Sequence, residues 1–152
     1  MHPILEKLKN NKIDKIKVGI FDVDGVMRGK YIHMDKFTSA LEQGFGFCDV
    51  VFGWDITDDL YDKSSVTGWQ TGFPDTTAQI DVSTYRKIPW EPNTALFIAD
   101  FANADGKAYP ACPRQLCKTI LQKAEDMGYS VKSAFEYEFF LFDESPLTIR
   151  EK

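Results

Sequence analysis

The chain has 152 residues, enough for one domain, or one and a piece, with a real core. Hydrophobic residues at 43% and charged residues at 27% are ordinary globular values. Eighteen Lys and Arg against 23 Asp and Glu give a net charge of −5, which argues against non-specific binding to nucleic acid or to an anionic membrane.

In chain order, Ile4, Leu5 and Leu8 predict a short amphipathic helix ending near Asn10-Asn11. Residues 17–23 and 26–34 read as strands flanking Asp24-Gly25, a strong hairpin signal. Asp35 is the expected N-cap of a helix through Glu42 that stops at Gly44. A strand around 49–52 leads into a polar stretch, 55–77, too long for a mere connection and so a candidate functional loop. Short strands follow near 78–81 and 95–100, and Asp105-Gly106 turns into 107–109. Pro113 suits the first position of a helix over 114–127, closed by Gly128, with Leu116, Ile120, Leu121 and Ala124 as its buried stripe. A final strand is expected over 130–142.

Residues 1–15 are charged and amphipathic, unlike a signal peptide, and no apolar stretch approaches the length of a membrane span. Cys48, Cys112 and Cys117 are an odd count without a CxxC pair, the pattern of reduced thiols in the cytoplasm. Only His2 and His33 could complete a zinc set, which argues against zinc. The layout is α+β: a mixed-sheet domain over 1–101, then a helix–strand unit over 102–152. That unit reads as the opening of a second domain, because one such element cannot bury both of its faces.

The most telling stretch is Ser133-Ala-Phe-Glu-Tyr-Glu-Phe-Phe-Leu-Phe142. On a strand, side chains two apart share a face, so Glu136 and Glu138 would point the same way with carboxylates roughly 7 Å apart. Phe140 and Phe142 would share that face, and Phe135, Tyr137, Phe139 and Leu141 the other. Carboxylates in an apolar strand need cations, which points to a divalent-metal site. The alternative is an edge strand whose first half faces water.

Ile20-Phe-Asp-Val-Asp-Gly-Val-Met27 resembles the first motif of haloacid dehalogenase phosphatases, whose first aspartate is a nucleophile. The following Arg28-Gly-Lys-Tyr-Ile-His33 continues as a strand rather than opening a helix or cap, so turn chemistry explains Asp22 and Asp24 better.

Four other motifs, in order, resemble the glutamine synthetase family. Val26-Met-Arg-Gly-Lys30 is similar to the hairpin of its amino-terminal β-grasp domain. Tyr61-Asp-Lys-Ser-Ser-Val-Thr-Gly-Trp69 resembles its flexible active-site segment. Cys112-Pro-Arg-x-x-Leu116 resembles the helix that opens its catalytic domain. Phe135-Glu-Tyr-Glu-Phe-Phe-Leu-Phe142 resembles its metal-binding strand. Phe52-Gly-Trp-Asp-Ile-Thr57, Asp81-x-Ser-Thr84 and Ile88-Pro-Trp90 look closest to the branch of γ-glutamyl-polyamine and related amine ligases.

The resemblance implies a β-grasp-like domain followed by the start of a catalytic domain. It implies an enzyme that activates the γ-carboxylate of glutamate with ATP and displaces phosphate with ammonia or an amine. Such phosphoryl transfer is served by charge stabilisation, so divalent magnesium or manganese is expected. By resemblance Glu138 would ligate the metal near glutamate and Glu136 the metal near the nucleotide. Asp62 would bind ammonium and lower its proton affinity, accompanied by Ser65. Lys63 departs from the glycine usual after that aspartate. Homo-oligomers with active sites shared between subunits are implied, and the 152 residues alone are expected to be inactive. The other reading left open is a non-catalytic assembly module of the same fold.

Overall fold

A computed structural model describes residues 2–101 and 107–151 as a mixed α+β fold; the expected Asp105-Gly106 turn lies outside them. Helix α1 (Pro3–Asn10) starts where the His2 imidazole accepts the Ile4 N–H, and it buries Ile4 and Leu8. Strands β1 (Lys15–Phe21) and β2 (Met27–His33) form an antiparallel hairpin, from Lys15 opposite His33 to Phe21 opposite Met27. Its loop has three residues: the Asp22 N–H reaches the Val26 carbonyl at 3.0 Å, and Gly25 takes the left-handed φ of 78° that the turn needs. Helix α2 (Met34–Gln43) begins before the expected Asp35 cap, because the His33 imidazole accepts the Asp35 N–H instead. It ends at Gly44, φ 70°, as the sequence predicts.

Strands β3 (Phe45–Cys48), β4 (Asp75–Lys87) and β5 (Thr94–Phe101) complete a five-stranded sheet ordered β2-β1-β5-β4-β3. The β1–β5 pair is parallel and the others are antiparallel. The strand expected at 49–52 is corrected: Asp49–Phe52 is one 3-10 turn. It buries Asp49, Val51 and Phe52 together, which strand alternation could not do. β4 is far longer than expected, and its register shifts between Asp81 and Arg86, where Asp81 accepts the Ser83 N–H at 3.1 Å.

Ile16, Val18 and Ile20 alternate inward from β1, and Phe37 of α2 lies 4.9 Å, centroid to centroid, from Phe97 of β5. A second aromatic group joins Phe52 and Phe101, at 5.2 Å, to Tyr109, which stacks on Phe52 at 5.4 Å. Tyr109 and Cys112 therefore belong to the same core, past the last strand. The sheet curls: Lys30 of β2 donates to the Gly46 carbonyl of β3 at 3.0 Å and lies over the Phe47 ring.

Helix α3 (Pro113–Asp126) starts with proline and is followed by Gly128 at φ 84°, as expected. Its expected buried stripe is not buried. Leu116, Ile120 and Leu121 are exposed, Ala124 is half-buried, and no residue of the helix is fully buried. The helix docks by its polar side instead. Arg114 bonds Asp81 at 2.7 Å and also Asp100, and Lys118 reaches Asp100 at 2.7 Å and Asp81 at 3.0 Å. Gln115 accepts the Tyr109 N–H and donates to the Phe101 carbonyl. Leu116 and Ile120 point away from that seat because they lie roughly opposite Arg114 and Lys118 on the helical wheel.

The expected strand over 130–142 is the largest correction. Residues 130–142 form no strand and are exposed throughout, Phe140 at 86% and Leu141 at 90%. A strand exists only where a neighbour takes its backbone hydrogen bonds, and none of the described residues does so here. The alternation survives locally: Phe135 lies beside Tyr137, and Phe140 beside Phe142, each pair 6.2 Å between centroids. A short helix α4 (Pro146–Arg150) follows, opened by a Ser145–Thr148 capping box. No helix among the described residues is long and apolar enough to cross a membrane.

Candidate functional site

The polar stretch between the 3-10 turn and β4 folds as two tied segments. In the first, the Asp55 carboxylate accepts the Thr57 and Asp59 N–H groups and the Thr57 hydroxyl, making a compact turn through Asp58 at φ 68°. Hydrogen bonds, the Thr57 hydroxyl first, hold that carboxylate below its ordinary range.

Arg28 of β2 binds this turn to the hairpin. Its guanidinium donates to Asp22 at 2.8 Å, Asp58 at 2.5 Å and the Asp55 carbonyl at 3.0 Å, and it lies 5.1 Å from the centre of the Trp54 ring. Asp22 is fully buried and also accepts the Asp24 and Val26 N–H groups at 3.0 and 2.8 Å. Those bonds make it a turn holder, not an exposed nucleophile, as its position at the hairpin predicts.

The second segment carries Asp62 and Ser65. Both are exposed, and neither side chain is hydrogen-bonded among the described residues. The segment is held by Thr67, which is fully buried and donates its hydroxyl to Asp49 at 2.6 Å. Further bonds stay within the loop: Gln70 to the Ser64 carbonyl at 2.7 Å, and Thr71 to the Gly68 carbonyl at 2.9 Å. Trp69 stands out from the surface and meets Phe73 edge to face at 5.2 Å. Tyr61, next to Asp62, has its phenol pushed up by burial and then by the carboxylates of Asp24, Asp55 and Asp22. Arg28 is the cation that bridges Asp22 and Asp58 in this region.

Glu136 and Glu138 lie in the exposed 130–142 segment, and no ion pair or hydrogen bond joins that segment to this loop among the described residues. Among the described residues no group of three or more His, Cys, Asp and Glu is arranged to hold a metal ion. Divalent magnesium takes about six oxygen ligands, so two glutamates do not form a complete site.

Sequence reasoning missed Asp49, Tyr109 and the cluster of Asp81, Asp100, Arg114 and Lys118. A lone aspartate between Cys48 and Val50, inside an apolar run, was the visible signal for the first. The cluster left no signal, because its hydrogen-bonded pairs join residues 14 to 37 apart.

A profile described as "Glutamine synthetase, catalytic domain" matches residues 110–151. Type-1 glutamine synthetase 2 of Dictyostelium discoideum is 38% identical over 149 residues, covering 98% of this chain and 29% of that protein. Glutamate–isopropylamine ligase of a Pseudomonas species is 36% identical over 143 residues, covering 93% of this chain and 31% of that one. A solved GmaS–ADP complex superposes with a TM-score of 0.65 at 21% identity, over 84% of this chain and 26% of that one. The chain thus spans about 30% of the length of the curated relatives it matches.

Proposed function

We propose that this chain, which belongs to the glutamine synthetase family, is the amino-terminal part of a ligase that joins the γ-carboxylate of glutamate to ammonia or an amine with ATP. The observation that carries the reading is the alignment over 98% of the chain, through the loop, helix α3 and the Glu136–Glu138 segment alike. The curled five-stranded sheet with its β1–β2 hairpin is read as a β-grasp-like domain over 1–101, and residues 102–152 as the start of the catalytic domain. The setting is read as cytoplasmic, and the working enzyme as a homo-oligomer whose active sites are shared between subunits.

The chemistry assigned to this chain is mainly recognition of the amine. Asp62 is an exposed carboxylate, suited to accepting the N–H donors of a protonated amine or ammonium. Ser65, three residues on, supplies a hydroxyl on the same loop. Glu136 and Glu138 would each contribute one carboxylate to magnesium or manganese sites that need further ligands, so no reaction step is assigned to them. Resemblance to a glutamine synthetase and to a glutamate–isopropylamine ligase makes ammonia and an alkylamine the two acceptors to test, and Lys63 in place of glycine alters the loop beside Asp62.

The test is a hybrid in which these residues replace the matching stretch of the Dictyostelium enzyme. It should make γ-glutamyl amides with ATP, and Asp62→Asn or Glu138→Gln should each lower turnover by about 100-fold. A folded hybrid that uses neither ammonia nor any amine, or that keeps its rate with both substitutions, overturns the reading.

A further inference from the structure

Between its two ends, the loop that carries Asp62 and Ser65 has a buried tie in its middle. At one end the Tyr61 N–H bonds the Gly53 carbonyl at 2.8 Å. At the other the Asp49 N–H bonds the Pro74 carbonyl at 3.1 Å, and the Cys48 thiol meets the Phe73 carbonyl at 3.2 Å. Midway, Thr67 enters the protein and gives its hydroxyl to one oxygen of Asp49. Gly53 makes room for it: a Cβ there would come within 2.9 Å of the Thr67 methyl. The other Asp49 oxygen accepts the Tyr109 hydroxyl at 2.9 Å. Tyr109 is buried and stacked on Phe52, and Gln115 of α3 holds its backbone N–H.

Asp49 is 3% exposed and has no cationic partner among the described residues. A buried carboxylate without one depends on its hydrogen-bond donors, so losing either hydroxyl is costly. Burial, and then the bond to Asp49, push the Tyr109 phenol well above its ordinary value, so it stays protonated and remains a donor.

We propose that Asp49 is a positioning residue that fixes the Asp62–Ser65 loop, through Thr67, to the segment leading into α3, through Tyr109. The functional half of this rests on the reading of Asp62 given above; the structural half does not. One carboxylate ties together two parts of the chain separated by 42 residues in sequence, by the numbers of Thr67 and Tyr109. Movement at Tyr109 is then felt at Thr67, two residues from Ser65 and five from Asp62.

The experiment is hydrogen exchange by mass spectrometry on the full chain, comparing Thr67→Val, Thr67→Ser, Tyr109→Phe and the unaltered protein. Thr67→Val should speed exchange across 61–73 by about tenfold or more while β1 and β5 amides stay protected, and Thr67→Ser should restore protection. Tyr109→Phe, which leaves the loop's own residues intact, should loosen the same loop. Loop exchange unchanged in Tyr109→Phe, or loosening spread evenly over the sheet in both variants, overturns the coupling. The hybrid enzyme separates the two readings. Tyr109→Phe there should raise KM for the amine more than it lowers kcat. A loosened loop with an unchanged amine KM overturns the assignment of Asp62 and leaves the anchor in place.

Discussion

Strand β1 and the segment 135–142 are both short, apolar and alternating, yet one lies at the heart of the molecule and the other in solvent. In β1, Ile16, Val18 and Ile20 are completely buried, with β2 on one side and β5 on the other. In 135–142, six large apolar or aromatic side chains stand exposed and no strand lies alongside among the described residues. Pattern alone therefore does not make a strand; the hydrogen-bonding neighbour does. The same contrast runs through the helices. α2 is seated by Phe37 and Ala40, and α3 by Arg114, Gln115 and Lys118.

The largest effect should come where the two regions differ most. Phe97→Ala empties a site that Phe37 and Tyr85 line at 4.9 and 5.7 Å, and should cost about 3–5 kcal/mol in urea unfolding. A loss below about 1 kcal/mol would mean that the sheet's core is looser than its burial indicates.

Next in size is Asp22→Ala. It removes the acceptor for Asp24, Val26 and Arg28 and leaves the partly buried guanidinium with the exposed Asp58 as its remaining charge partner. About 2–3 kcal/mol of stability should be lost, measured in the same way. The hairpin should also exchange faster than β5. If the protein cleaves p-nitrophenyl phosphate and Asp22→Asn abolishes that cleavage, the turn-holding role assigned to Asp22 is wrong.

These elements also mark how far sequence carries. The hairpin, the stop at Gly44 and the proline start of α3 were legible because each depends on neighbours within a few residues. The side on which α3 docks was not. Helical spacing correctly indicates a helix and an apolar stripe, but Asp81 and Asp100, 33 and 14 residues before Arg114, decide that its charged side faces the sheet. Asp62, Ser65, Glu136 and Glu138 were picked out as motif positions, and the roles proposed for them rest on resemblance. Asp49 was not, because its meaning lies in partners 18 and 60 residues away.

A smaller effect concerns that ionic seat. Burial alone would raise the Asp81 carboxyl, but the Arg114 guanidinium, the Ser83 hydroxyl and the Lys118 ammonium outweigh it and hold it far below the usual range. A depressed carboxylate stabilises the folded form above its unfolded value of about 3.9 and loses that contribution as pH falls toward its folded value. NMR amide shifts of 113–126 should therefore move only well below about pH 4, as the folded value is approached, while those of β1 stay fixed. Arg114→Ala at neutral pH should reproduce the change at a cost of about 1.5 kcal/mol. An α3 that keeps its seat in Arg114→Ala would show that the ionic cluster is not what holds it.

The smallest effect is the sharpest test of the opening contrast. Phe140→Ser replaces a large aromatic side chain, a change that in a core would cost several kcal/mol. Here the ring is 86% exposed, and its ring contact is with Phe142, two residues along the same segment. Unfolding free energy should therefore shift by less than about 0.5 kcal/mol, and the urea slope should not change, because no surface buried in the folded sheet is lost. The matched control is Phe37→Ser, which exposes the same chemistry at a fully buried site and should be strongly destabilising. A Phe140→Ser loss approaching that of Phe37→Ser would mean that the 135–142 segment is buried in solution after all. The expected strand would then have found its neighbour.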